Sequence, residues 1–175
     1  SVYTRALPAP WRPELRGQVE GIGTSPRLSA RNAENTVLVD EPLERSVRSV
    51  RDAVDPMAVW LRATYGNARV LGLGHRVVHG GAKFDGPTVV TPEVLEEIRA
   101  LTPLAPLHQP HNVAVIEAAF ERLPGVPQVA CFDTSFHRGR TAVAELVPLP
   151  RELREQGLQR YGFHGLSFEY IASVL

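Results

Sequence analysis

Residues 127–137 read PQVACFDTSFH. Val129 to Phe132 is an unbroken apolar run between a Pro-Gln pair and an aspartate. A short run without polar alternation predicts a strand covered on both faces, as in the sheets of α/β proteins. Asp133 follows it at once. An ionised carboxylate there is costly unless it has partners, and ligands bind beyond the strand ends of open α/β sheets. Two readings stand side by side: Asp133 holds a metal or orients a reactant, or it caps a turn with Thr134 and Ser135. Cys131 reads as packing, since nothing marks it as a thiolate.

A second strand of this kind is expected upstream, where residues 71–81 read LGLGHRVVHGG. Strand alternation puts Arg76 and Val78 on one face and His75, Val77 and His79 on the other. An arginine beside a valine offers a fork for a carboxylate or phosphate next to an apolar patch. Gly80 and Gly81 would let backbone approach a ligand. Three uses remain open: an anion site, a metal site from His75 and His79, or Arg76 paired with a buried carboxylate for structure. No third ligand has a convincing spacing for zinc.

Strands alternate with helical patterns over most of the chain, which predicts a mixed α/β layer structure. Residues 1–13 are proline-rich and read as loop. LRGQVEGIG (15–23) and NTVLVDE (35–41) read as strands. From Pro42, Leu43, Val47, Val50, Val54, Met57 and Leu61 follow helical spacing. Pro56 is expected to kink that helix or begin a second segment, and Gly66 to close it. Residues 87–101 predict a short strand, then a helix with Thr91 as N-cap and Pro92 at its first position. PLAPLHQP (103–110) reads as a stiff loop before a helix carrying Val113, Ile116, Phe120 and Leu123. RELREQG (151–157) predicts a short helix, QRYGFHG (159–165) a strand or tight turn, and LSFEYIASVL (166–175) a further helix.

The 175 residues carry 19 basic and 19 acidic side chains. Zero net charge favours neither nucleic acid nor an anionic membrane as partner. All but one of the basic residues are arginine, and Lys83 is the single lysine, so there is no P-loop within the chain. One cysteine allows no intrachain disulfide, which fits a reducing compartment. The longest uncharged stretch, 101–116, holds three prolines and two histidines and is no membrane span. The chain opens without an initiator methionine and stops inside a helical pattern, which predicts a piece of a longer protein.

All six histidines lie between His75 and His164. His108 precedes a Gln-Pro helix start and by itself reads as structural. Phe163 and His164 sit between glycines in RYGFHG (160–165), which suits a tight turn presenting both. The histidine there reads as part of a turn with an aromatic plug, or as a proton carrier or donor to developing charge.

GHRVVHGG (74–81), LAPLHQPHN (104–112), VACFDTSFH (129–137) and RYGFHG (160–165) occur in this order and at these intervals. Together they resemble the acetate kinases and their relatives the propionate kinases, from about residue 15 to 175. The segment 15–23 is similar to the early part of proteobacterial-type members. The resemblance implies an actin- and sugar-kinase-like (ribonuclease H-like) fold of two α/β lobes, incomplete here at both ends. Residues 1–135 would form the acyl-substrate lobe without its first strand, and 136–175 the start of the second lobe. It implies reversible, Mg2+-dependent transfer of the ATP γ-phosphate to acetate, or propionate, giving the acyl phosphate and ADP. The expected partners are the small carboxylate and ATP/ADP, with no nucleic acid or membrane, in a cytoplasmic protein that is a homodimer at full length. By motif match, Arg76 would engage the acyl substrate, and Val78, Leu107 and Phe163 would hold its methyl group. Asp133 would be the catalytic aspartate, His164 would stabilise the transition state, and His108 would be a further active-site histidine. The ATP-binding loops and the metal-binding glutamate would lie outside this chain, leaving most of the nucleotide half missing. The alternative is a non-catalytic remnant of the same fold that binds a small carboxylate or a protein partner. Two departures bear on it. FDTSFHRGRTAVAELVPLP (132–150) lacks the family's Met-Pro stretch, and Phe168 stands where a second histidine is expected.

Overall fold

The computed structural model describes residues 1–5, 10–66, 68–145 and 147–175. They separate into two compact units, 1–69 and 70–175.

The first unit is an antiparallel meander, β1 (Val2–Thr4), β2 (Arg12–Glu20), β3 (Arg27–Asn32) and β4 (Val37–Pro42), followed by helix α1 (Val50–Tyr65). Leu15, Leu28, Ala30, Val47 and Ala53 are its buried apolar residues. Two expectations change here. Val2–Thr4 and Arg12–Pro13 are strand, because β1 pairs with the start of β2; residues 6–9 of the expected loop lie outside those described. The helix starts at Val50, seven residues after Leu43, where the apolar spacing begins. Leu43 is still tied back along the sheet, its N–H donating to the Pro26 carbonyl. Ser49 then opens α1 with a capping box, its hydroxyl accepting from Asp52 N–H at 3.1 Å while Asp52 accepts from Ser49 N–H at 2.8 Å. α1 runs through Pro56 as one helix, and Gly66 caps it.

The second unit holds a three-stranded sheet in the order β5 (Leu73–Val77), β7 (Gln128–Phe132), β6 (Thr88–Val89). β5 and β7 are parallel, with Arg76 beside Cys131 and Val77 beside Phe132, while β6 runs antiparallel to β7. Between them come α2 (Pro92–Ala100) and α3 (Gln109–Arg122), which pack on each other. Thr91 caps α2 through its hydroxyl, with Pro92 in the first turn, as the sequence predicts. β5 is shorter than expected. Val70 and Leu71 are exposed coil, because β7 begins only at Gln128 and offers them no partner. Val77, Ile98, Ile116, Ala130 and Phe132 are fully buried, and Phe84 stacks on Phe132 at 4.7 Å. Each such large side chain contributes about 1.5–3 kcal/mol by leaving water. The chain continues through α4 (Ala142–Glu145), α5 (Arg151–Glu155) and α6 (Gly165–Val174). Leu146, within the departing 132–150 stretch, is outside the described residues. No helix among the described residues is long and apolar enough to cross a membrane.

Candidate functional site

The C-terminal ends of the parallel pair β5 and β7 carry the polar residues. Alternation in β5 works as the sequence predicts: Val77 and His79 are buried, while Arg76 faces out and Val78 is half-buried. Asp133, one residue past β7, is 1% exposed. Its carboxylate meets the side of the Arg76 guanidinium. Arg76 Nε donates to Oδ1 and Oδ2 at 3.1 and 3.0 Å, and Nη2 donates to Oδ2 at 2.6 Å. This charged, forked hydrogen bond holds the arginine proton more tightly than usual, against a smaller opposing effect of burial. The Arg76 side chain nevertheless stays 64% exposed, and its Nη1 makes no hydrogen bond to the described residues. The carboxylate therefore fixes one edge of the guanidinium and leaves the other edge free for an anion.

Asp133 does not cap a turn. Ser135 closes the turn instead, donating to the Phe132 carbonyl at 2.8 Å. Thr134, fully buried, accepts the Gly80 N–H at 3.0 Å and so ties the glycine pair to β7. Gly80 is a tight fit: a Cβ there would lie 3.0 Å from both the Phe132 ring and the Phe84 carbonyl oxygen.

The histidines of residues 74–81 serve as supports. His75 Nε2 lies 2.7 Å from Gln128 Oε1, a side-chain partner on β7. His79 Nδ1 accepts the Gly81 N–H at 2.8 Å, which leaves its proton on Nε2. Burial pushes both imidazoles below the ordinary histidine range. No three His, Cys, Asp or Glu side chains gather to hold a metal among the described residues.

The loop carrying Leu107 and His108 is fastened to β5 by two residues that motif reasoning passed over. Gln109, fully buried, donates to the carbonyls of His79 at 3.1 Å and Ile98 at 3.0 Å. Asn112 Oδ1 accepts the Val78 N–H at 3.1 Å. Their spacing of three puts both on one face at the start of α3, which is the signal that could have found them. His108 sits at the helix N-cap without a side-chain cap bond, and Leu107 is 78% exposed.

Residues 159–164 form an irregular loop, neither strand nor helix, that returns to the same strand ends. Gly165 N–H donates to the Asp133 carbonyl at 2.8 Å. Tyr161 and Phe163 set their rings edge-on to His79, at 4.5 and 5.6 Å between centroids. His164 adopts the left-handed conformation, φ 58°, ahead of α6. Arg76, Asp133 and the Phe163–His164 pair thus meet through β5, β7 and this loop. Leu107 and His108 occupy the adjoining loop with their side chains in the open.

The acetokinase family model matches residues 13–175. The chain belongs to the acetokinase family. An acetate kinase of Rhodopseudomonas palustris is 49% identical over 91% of this chain, and one of Rhizobium meliloti 46% identical over 93%. Among solved structures, Porphyromonas gingivalis acetate kinase matches 91% of the chain at a TM-score of 0.80 and 32% identity. A propionate kinase of Francisella tularensis matches the same share at 0.80 and 30%. The α/β fold expected from the acetokinase motifs is therefore the fold observed. The chain spans about two fifths of the length of these relatives: 40% and 41% of the two acetate kinases, and 41% of each solved chain.

Proposed function

We propose that the complete protein carrying this chain transfers the γ-phosphoryl group of ATP reversibly to acetate, giving acetyl phosphate and ADP. An acetate carboxylate oxygen bonds to the γ-phosphorus as the bond to the bridging oxygen of ADP breaks. The observation that carries this reading is the side-on Arg76–Asp133 pair, with the second guanidinium edge left free. A two-carbon substrate offers little area, so a charged anchor must provide most of its orientation. Fixing the arginine beforehand removes part of the entropic cost of that orientation.

In this reading the Arg76 Nη1 edge takes the acetate carboxylate, and Val78, Leu107 and Phe163 border its methyl group. His164 and His108 supply donors to the transferring phosphoryl group. Phosphoryl transfer depends mainly on positioning and charge neutralisation, which are the services these residues can give. Asp133 acts by orienting Arg76, since an acetate nucleophile is already ionised at pH 7 and has no proton to surrender. ATP and Mg2+ belong to the family reading, Mg2+ neutralising phosphate charge when bound. Among the described residues, no three candidate ligands gather for it, and both oxygens of Asp133 are engaged by Arg76. This chain's share is binding and positioning of the acyl group. Residues 136–175 are then the start of a second lobe, in a cytoplasmic homodimer. Propionate overlap is expected, because one methylene changes discrimination by only about 1–3 kcal/mol.

The competing reading, a remnant that binds a carboxylate without catalysis, draws on Phe168, which stands where the family pattern has a histidine. The two separate in one assay: acetyl hydroxamate formation from acetate and Mg·ATP by the complete gene product and by residues 1–175. Turnover by the complete product supports the kinase. No turnover, with acetate binding retained, supports the remnant.

A further inference from the structure

His137 lies outside the set that the motifs assign to the substrate, yet it reaches the loop that carries two members of that set. Its Nε2 is 2.9 Å from the Phe163 carbonyl oxygen. A carbonyl only accepts, so Nε2 carries the proton, and the bond survives in both the neutral and the protonated imidazole. The ring is held on several sides. Phe136 and Phe168 present edge contacts at 5.4 and 5.6 Å and stack on each other at 6.2 Å. Gly162 lies directly against it, since a Cβ at that position would overlap the imidazole. The His137 carbonyl is held in turn by Arg140 Nε at 2.7 Å.

The loop has few other anchors. Residues 158–164 have no regular structure. Arg160 donates to the Ala144 carbonyl, Tyr161 bonds Gln159 within the loop, and Gly165 N–H reaches the Asp133 carbonyl. Among the described residues, the Gly165 and His137 bonds are the two direct hydrogen-bond tethers from the segment that carries Asp133, and they grip the carbonyl of Phe163 and the amide of Gly165 on either side of His164. Phe168, the departure from the family pattern, is part of the aromatic bracket that holds the His137 ring.

We propose that His137 is a positioning residue of the acyl site: its Nε2–H fixes the Phe163–His164 peptide, and thereby the pocket wall and the phosphoryl-facing histidine. This rests on the acetate kinase reading for its functional meaning, but the tether itself does not. The test uses the complete gene product with His137→Phe, which keeps a ring but no donor, and His137→Gln, whose amide can place a donor near the Nε2 position. His137→Asn, too short to reach, replaces the first variant if that fails to fold.

The donorless variant should raise KM for acetate by about fivefold to tenfold, the size of one lost hydrogen bond. KM for ATP should stay within about twofold, and His137→Gln should recover most of the loss. Amide exchange across 160–166 should quicken in the donorless variant and return towards wild type in His137→Gln. Unchanged exchange in the donorless variant overturns the inference, as does a glutamine variant no better than the donorless one in both readouts. A wild-type protein that forms no acetyl phosphate defeats the kinase reading instead, and the exchange data then still decide whether the tether exists.

Discussion

Arg76 on β5 and Asp133, one residue past the parallel strand β7, meet edge to edge, the carboxylate 1% exposed and the arginine side chain 64% exposed. The pair spans the boundary between core and solvent, so its two members fail differently. Asp133→Asn keeps the shape and removes the charge that orients Arg76. It should raise KM for acetate and lower kcat, with the pH profile left in place. A displaced pH profile would speak for proton transfer by Asp133 and against the orienting role. Arg76→Ala leaves a buried carboxylate without its partner and should destabilise the fold by about 3 kcal/mol. Arg76→Lys should retain more stability than Arg76→Ala but lose the fork and most acetate affinity. Urea denaturation of both variants separates the two effects.

Gly165 joins the loop to the end of β7 without space for a side chain. A Cβ there would overlap the Asp133 carbonyl oxygen and approach the Phe136 Cβ to 2.7 Å. Both neighbours belong to ordered backbone or its first side-chain atom, so relief requires moving the loop. Gly165→Ala should cost about 1–3 kcal/mol, in the range for overpacked sites, and lower hydroxamate formation by more than tenfold. A variant that melts with wild type and keeps its activity would show that the loop is not fixed at this contact.

The sequence made the second unit more legible than the first, for physical reasons. Residues 129–132 have an apolar run that only a covered strand explains, and Thr91-Pro92 is a helix start written in two residues. In the first unit, β3 carries only Leu28 and Ala30 between charged and polar residues, too weak an alternation to mark a strand. The start of α1 was hidden because Leu43 and Val47 fall on helical spacing by chance, whereas the Ser49–Asp52 capping box gave the true start. At the site, the order of motifs pointed to Arg76 and Asp133, and alternation put Arg76 on the face opposite His75 and His79. A buried carboxylate partner for Arg76 was one open reading, but the sequence could not name Asp133 as that partner, because the contact joins residues 57 apart. Gln109 and Thr134 were overlooked for the same reason: their partners are backbone groups on other elements.

His75 and His79 predict a specific acid sensitivity. Burial lowers both pKa values in the folded chain, while the unfolded chain takes up protons near the ordinary value of about 6.5. Below that pH the unfolded state binds more protons than the folded state, so stability falls as pH drops from about 6.5 towards the folded values. Each histidine can contribute up to about 1.4 kcal/mol per pH unit inside that window. Thermal melts between pH 7.5 and 5.5 should show a falling Tm, and His75→Gln should flatten the slope. An unchanged slope in that variant would exclude His75 as a source.

His164 sets stability against function at a single residue. Its φ of 58° places an L side chain in the left-handed region, at a cost of about 1–2 kcal/mol relative to glycine. The surrounding contacts impose that conformation: His137 holds the preceding carbonyl and Asp133 the following amide. His164→Gly relieves the strain while loosening the unfolded chain, so it should exceed His164→Ala in stability by about 1 kcal/mol. Both remove the imidazole and should lose phosphoryl transfer by about 100-fold or more, as when one donor to developing charge is deleted. His164→Asn, which tolerates this conformation, should be closer to glycine in stability and equally poor in transfer. Urea denaturation of the three variants beside the hydroxamate assay checks both halves. If alanine proves as stable as glycine, the left-handed conformation carries no strain. If glycine keeps full activity, the imidazole is not the group that faces the phosphoryl oxygen atoms.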